Sequence, residues 1–216
     1  MAERNLIIYG AGGHGVVVAE AATLAGWTIR GFIDDSVSPG TNPCEDSAVG
    51  YVPVLGSNRE LGDLDRERAA FIVAVGDNAR RDALLRDLMD DGFDLAAITH
   101  PDAVVSPSAR LGPGAFVGPR AVVHAHALIG IGAIINTGAI VEHHVTIGRC
   151  AHVAPGAILC GRAQVGDRAL IGAGAILLPR EKVGDEAIVG AGSVVIDDVP
   201  NASTVVGNPA RPTRSV

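Results

Sequence analysis

From Val104 to Val199 the chain reads VVSPSA RLGPGA FVGPRA VVHAHA LIGIGA IINTGA IVEHHV TIGRCA HVAPGA ILCGRA QVGDRA LIGAGA ILLPRE KVGDEA IVGAGS VVIDDV, sixteen hexads without an insertion. The second residue of every hexad, from Val105 through Val141, Ile147 and Leu159 to Val195, is Val, Leu or Ile. Twelve of the sixth residues are Ala, and eight of the third residues are Gly. Neighbouring residues of extended chain face opposite sides. The repeated aliphatic and small pair therefore points one way, into a core, while glycine permits sharp corners. A six-residue period of this kind predicts a parallel β-helix. Its left-handed form sets three hexads in one triangular coil, giving about five coils here.

Residues 1–100 have a different texture. NLIIY, GAGGHG, an apolar-periodic stretch from Val16 to Leu24 and TIRGFIDD spell strand, glycine-rich turn, helix and strand. FIVAVGD (Phe71 to Asp77) reads as a buried strand. Asn78 to Asp91 reads as a helix with Ala79, Ala83, Leu84 and Leu88 at helical spacing. Ser36 to Gly50, rich in Pro, Gly, Ser and Asn, reads as a surface loop. The expected organisation is an α/β, Rossmann-like domain with a small parallel sheet over 1–100, followed by the left-handed β-helix over 101–216. The tail from Asn201 to Val216 is expected to cover the open upper edge of the prism.

Composition excludes several functions. Seven aromatic residues among 216 leave little to stack nucleobases on, and a net charge of -7 has the wrong sign for following a phosphate backbone. Cys44, Cys150 and Cys160 are odd in number and form no CxxC pair, which suits reduced thiols in the cytoplasm and offers no zinc motif. Leu6 to Tyr9 is too short for a signal segment, and no run reaches about 18 apolar residues, so no membrane insertion is expected.

Gly10, Gly12 and Gly15 fit GxGxxG between strand and helix, with Asp34 and Asp35 closing the next strand. Backbone N–H groups of such a turn approach a phosphate at a helix N-terminus. About 100 residues are too few for two mononucleotide halves and a substrate domain, which favours one nucleotide diphosphate over NAD. A purely structural turn remains an alternative. In the repeats, His124, His126, His143, His144 and His152 all avoid the inward second position. No carboxylate or cysteine set accompanies them at ligand spacing, so no metal is expected. At eighteen residues per coil, His126 falls one coil below His144, and His143 one coil below Gly161. That spacing stacks a candidate base under an unhindered backbone N–H, the two elements an acyl transfer requires.

The run IINTGAIVEHHVTIGRCAHVAPGA (Ile134 to Ala157), the opening IIYGAGGHG, the strand end GFIDD and the closing VVGNPA resemble the bacterial nucleotide-sugar acetyltransferases of the hexapeptide-repeat superfamily. Within it they look most like the enzymes that N-acetylate a UDP-4-amino-4,6-dideoxy sugar, with the sialic acid O-acetyltransferases as close relatives. The resemblance implies acetyl-CoA as co-substrate and a nucleotide-linked amino sugar as acceptor, in glycan biosynthesis. It also implies a homotrimer with sites between neighbouring subunits. It assigns His143 as base, His152 as a second histidine near the acetyl group, and Gly161 as the amide facing the thioester carbonyl. Gly172, Ala173, Gly190 and Ala191 are assigned to the coenzyme A groove, and Gly10, Gly12, Gly13, His14, Asp34 and Asp35 to the nucleotide. The family usually places Glu or Asp directly after the catalytic histidine to orient it. Here His144 stands in that position, and Glu142 precedes the pair. Sugar O-acetylation is the alternative function, and an acyl-carrying Cys160 the alternative mechanism.

Overall fold

In the computed structural model, which describes residues 4–58 and 69–213, NLIIY forms β1 (Asn5–Tyr9), and the chain turns at Gly10 into α1 (Gly13–Leu24). β2 (Thr28–Ile33), β3 (Val54–Gly56), β4 (Ala70–Val73) and α2 (Asn78–Asp90) follow. The four strands make one parallel sheet in the order β3-β2-β1-β4. Leu6, Ile8, Phe32, Ile33, Phe71 and Ile72 are its fully buried centre. A short β5 (Ile98–Thr99) packs on α1 and ends this first compact unit, Met1–Pro101.

Three details depart from the sequence reading. β4 stops at Val73, not Asp77, because Asp77 caps α2 by accepting the Arg80 N–H at 2.7 Å. β3 was not foreseen; its three residues lack the length that makes a periodic pattern visible. On α2, Leu84 and Leu88 are buried as expected, but Ala79 and Ala83 face outward while Leu85 and Arg81 face inward. The fully buried Arg81 guanidinium donates to the carbonyls of Val75 and Gly76 and to Asn78 Oδ1. These bonds offset the cost of burying the charge and turn the helix toward that side.

The second unit, Asp102–Val216, is a three-sided parallel β-solenoid. Its sixteen strands, β6 (Val104–Val105) to β21 (Val194–Val195), are the first two residues of successive hexads. Each pairs with the strands eighteen residues away: Val141 lies between Val123 and Leu159, and Ile134 between Phe116 and His152. The inward second residues are at most 4% exposed from Val117 upward, and with the sixth-position alanines they form one continuous core. At the bottom, Val105 and Leu111 are only partly buried.

The corners correct one expectation. The third-position glycines are not where the chain turns left-handed. The fifth residue does so at fourteen hexads, with positive φ at Gly114, Gly132 and Gly156 but also at Arg120, His126, His144, Arg162 and Arg180. Third-position glycine answers a steric demand between coils: a Cβ on Gly112, Gly130 or Gly172 would press into the backbone of the coil above at 2.6–2.8 Å.

The three faces also differ outside. On the first, β6, β9, β12, β15, β18 and β21 present Val104, Val122, Ile140, Ile158, Ile176 and Val194 outward, whereas the second presents Arg110, Leu128, Thr146, Gln164 and Lys182. At the top, β22 (Thr204–Val206) pairs with β20 (Ile188–Val189), and β23 (Arg211–Pro212) folds back antiparallel on β22. Val199, Val205 and Ala210 thereby join the core and close the upper edge; residues 214–216 of the expected cap lie outside the described residues. No helix among the described residues is long and apolar enough to cross a membrane.

Candidate active site

The corner between the first and second faces stacks the third to fifth residues of every third hexad. From below upward it carries Ser106 and Ser108, then His124 and His126, then Glu142, His143 and His144, then Cys160, Gly161 and Arg162. His143 and His144 are exposed at this corner. The His143 ring lies against Gly161, where a Cβ would meet its Cε1 and Nε2 at 2.7 Å. Only glycine leaves room for the imidazole.

Gly161 is a fourth-position residue. The backbone N–H there takes no part in the coil ladder, and Pro107, Pro113, Pro119, Pro155 and Pro179 occupy equivalent places without loss. Among the described residues the Gly161 N–H has no acceptor, so the corner offers an uncommitted donor beside an exposed imidazole.

His143 Nδ1 lies 3.1 Å from His144 Nδ1, with the rings nearly perpendicular at 85°. Glu142 does not reach that ring. Its carboxylate accepts the His143 backbone N–H at 3.4 Å and stands 3.7 Å from His124 Nε2, so Glu142 serves the backbone and His124 instead of orienting the His143 ring. Partial desolvation, then Arg162, His126 and His143, hold the His144 imidazole below its ordinary range. Burial, and then the charge of Glu142, push the Cys160 thiol up, away from the thiolate an acyl carrier needs. A cleft of about 550 Å3 lies beside the column, lined by Pro107, Ser108, Arg110, His126, Leu128 and His144.

Not every residue assigned by resemblance meets here. His152 lies on the third face, where its Nε2 is 3.1 Å from Asn136 Nδ2. Gly172, Ala173, Gly190 and Ala191 stack at the corner between the third and first faces, one edge of the prism from His143 and Gly161. Among the described residues the N–H groups of Ala173 and Ala191 are likewise without acceptors. Asn136 and the cleft residues Ser108 and Arg110 escaped sequence reasoning. Asn136 left one trace, an amide where the hexad favours glycine. No group of three or more His, Cys, Asp or Glu among the described residues is placed to hold a metal ion.

In the first unit, Gly10 has φ +109°, and a Cβ on it would meet the Ala74 carbonyl oxygen at 2.8 Å; one on Gly15 would collide with the Gly10 carbonyl. Gly12 is the N-cap residue of α1 and Gly13 its first residue. Burial, seconded by Arg81, lowers His14 to about 4 and keeps it neutral. Asp34 accepts the Ala11 N–H at 2.8 Å and the Ser36 hydroxyl at 2.6 Å. Although burial opposes it, these bonds hold its carboxyl below the usual range. Asp35 accepts from Tyr9 Oη, the Asn58 N–H and Arg80 Nη2 at 2.9–3.1 Å. Burial and Asp35 together raise the Tyr9 phenol. The loop and both aspartates thus form one hydrogen-bonded rim.

The sequence profile of the PglD N-terminal domain family matches residues 5–88. No curated protein gives a significant sequence match. Among solved structures, the acetyltransferase domain of PglB from Neisseria gonorrhoeae is similar at 38% identity with a TM-score of 0.90, over 98% of this chain and 100% of that one; it has also been solved with acetyl coenzyme A. PerB from Caulobacter crescentus, in complex with CoA and GDP-perosamine, shares 39% identity over 99% of both chains with a TM-score of 0.88. WeeI from Acinetobacter baumannii shares 29% over 97% of this chain and all of its own, with a TM-score of 0.82. With the glycine-rich α/β unit, the hexad solenoid and this similarity along nearly its whole length, the chain belongs to the hexapeptide-repeat acetyltransferases that carry a PglD N-terminal domain.

Proposed function

We propose that the protein is an N-acetyltransferase that moves the acetyl group of acetyl-CoA directly to the amine of a nucleotide-linked amino sugar, in the cytoplasm and for glycan biosynthesis. The observation that carries this reading is the His143 imidazole set against Gly161, whose N–H is uncommitted. In this mechanism His143 accepts the amine proton at Nε2 as the nitrogen attacks the thioester carbonyl. The Gly161 N–H donates to the oxygen on which negative charge grows, and the CoA thiolate leaves as the tetrahedral centre collapses. The neutral Cys160 thiol argues against an acyl-enzyme. The relatives solved with acetyl-CoA, and with CoA and GDP-perosamine, support both co-substrates. Assaying CoA release over a panel of UDP- and GDP-linked amino sugars and free sialic acid tests the function. Turnover confined to sialic acid establishes O-acetylation instead.

We propose a homotrimer, a reading supported by the outer surface of the solenoid. The first face carries the aliphatic row from Val104 to Val194, with Val104 64% exposed, and invites burial against a copy of itself. Its two edges are the His143–Gly161 corner and the Gly172–Ala191 corner. A three-fold axis running along this face apposes one copy's first corner to its neighbour's second. The base then meets in trans the stacked amides assigned to coenzyme A. Sedimentation at micromolar concentration should give a trimer, and Ile158→Lys a folded, inactive monomer. An active monomer refutes the shared site.

The first unit is assigned to the nucleotide. Asp35→Ala should raise KM for the sugar nucleotide about 10- to 150-fold, the worth of a charge-assisted hydrogen bond, with KM for acetyl-CoA nearly unchanged. If acetyl-CoA affinity falls instead, the assignment of the two units is reversed.

A further inference from the structure

We infer that His144 is the positioning residue of the catalytic imidazole, acting as an uncharged hydrogen-bond acceptor for the His143 Nδ1–H, with His126 holding it from the coil below. The inference rests on reading His143 as the base. To take a proton at Nε2, a neutral imidazole must carry its own proton on Nδ1, and that proton needs an acceptor. His144 Nδ1, at 3.1 Å, stands in the acceptor's place, and among the described residues no carboxylate contacts the ring. His144 accepts at Nδ1 only if it is neutral with its proton on Nε2.

The surroundings favour the uncharged state. Arg162 faces His144 from the coil above, His126 from the coil below and His143 from beside it, all cationic or able to become so. Glu142, the nearby anion, is turned to His124 and to the His143 backbone. His126 and His144 both take φ +59°, which keeps their rings in one column with centroids 5.0 Å apart. The His126 N–H in turn donates to Ser108 Oγ at 3.2 Å, tying the column to the lowest coil. When His143 becomes imidazolium during transfer, its Nδ1–H still meets the His144 lone pair. A protonated His144 instead withdraws the acceptor and adds a second charge.

Of the three substitutions in the test, Asn and Asp suit the left-handed backbone at this position, and circular dichroism checks that the Ala protein folds. His144→Asn keeps a neutral acceptor near the Nδ1 position and should retain kcat within about threefold of the parent, less than one hydrogen bond is worth. His144→Ala should lower kcat about tenfold with both KM values held, the worth of one such bond. His144→Asp puts a carboxylate under the base and should move the acid limb of the kcat/KM profile up by about one pH unit. Nitrogen-15 NMR of the free enzyme reads the tautomer without turnover, so it decides the point even if the acceptor sugar is misidentified. His143 should carry its proton on Nδ1 in the parent and Asn proteins and lose that preference in His144→Ala. A folded His144→Ala protein with unchanged kcat, pH profile and tautomer overturns the inference, as does failure of Asn to restore what Ala loses.

Discussion

Replacing His143 by alanine should lower kcat by about 10² to 10⁴, the contribution of a positioned general base, with little change in either KM. The imidazole sits against an uncommitted amide, the Gly161 N–H, so in the proposed reaction it serves the step in which the amine gains its bond and sheds its proton. In the proposed function the first unit holds the nucleotide, and the imidazole takes no part in binding it. For an amine acceptor the effect belongs at the lower end. A neutral amine already has a lone pair, and the base need only collect the proton as charge develops, whereas a hydroxyl needs help from the start of attack. Steady-state kinetics, with circular dichroism to confirm folding, read both outcomes. Full activity in folded His143→Ala removes the assignment. A loss seen only in His152→Ala moves the base to the third face, where His152 is paired with Asn136.

Val141→Asp should unfold the solenoid. Val141 is fully buried between Val123 and Leu159 in the middle of the stack. The change forfeits about 1.5–3 kcal/mol of apolar burial, and an unpaired carboxylate in that core adds several kcal/mol more. Each coil of a solenoid is stabilised mainly by its neighbours, so a break in a central coil removes support from both directions. Gln164→Ala, on the outside of the second face, should leave the melting temperature within a few degrees of the parent. Equal thermal stability of the Val141→Asp and parent proteins shows the inward register to be wrong.

Sequence alone determined the solenoid, the inward register and the stacking of His143 beneath Gly161. In a parallel solenoid, position along the chain is position in space: residues eighteen apart lie one above the other. The glycine-rich turn and its two aspartates were legible for a related reason, because Gly10 and Gly15 stand where a Cβ has no room. The same sequence, read at its true period of eighteen, also separates the corners. All five third positions of one corner are Gly (Gly112, Gly130, Gly148, Gly166 and Gly184). The corner that carries His143 has none, with Ser106, His124, Glu142, Cys160, Leu178 and Ile196 in their place. A six-residue reading averages that difference away. Only the tertiary structure decided the rest. The direction of a surface side chain is set by whichever partner lies within reach, and the hexad period does not encode it. Glu142 turned to His124, His144 turned its Nδ1 to His143, and Arg81 left an apparently polar helix face for the carbonyls of Val75 and Gly76. His152 and the amides of Ala173 and Ala191 lie at other parts of the prism from His143, because a chain that turns every six residues carries neighbours in sequence to different corners.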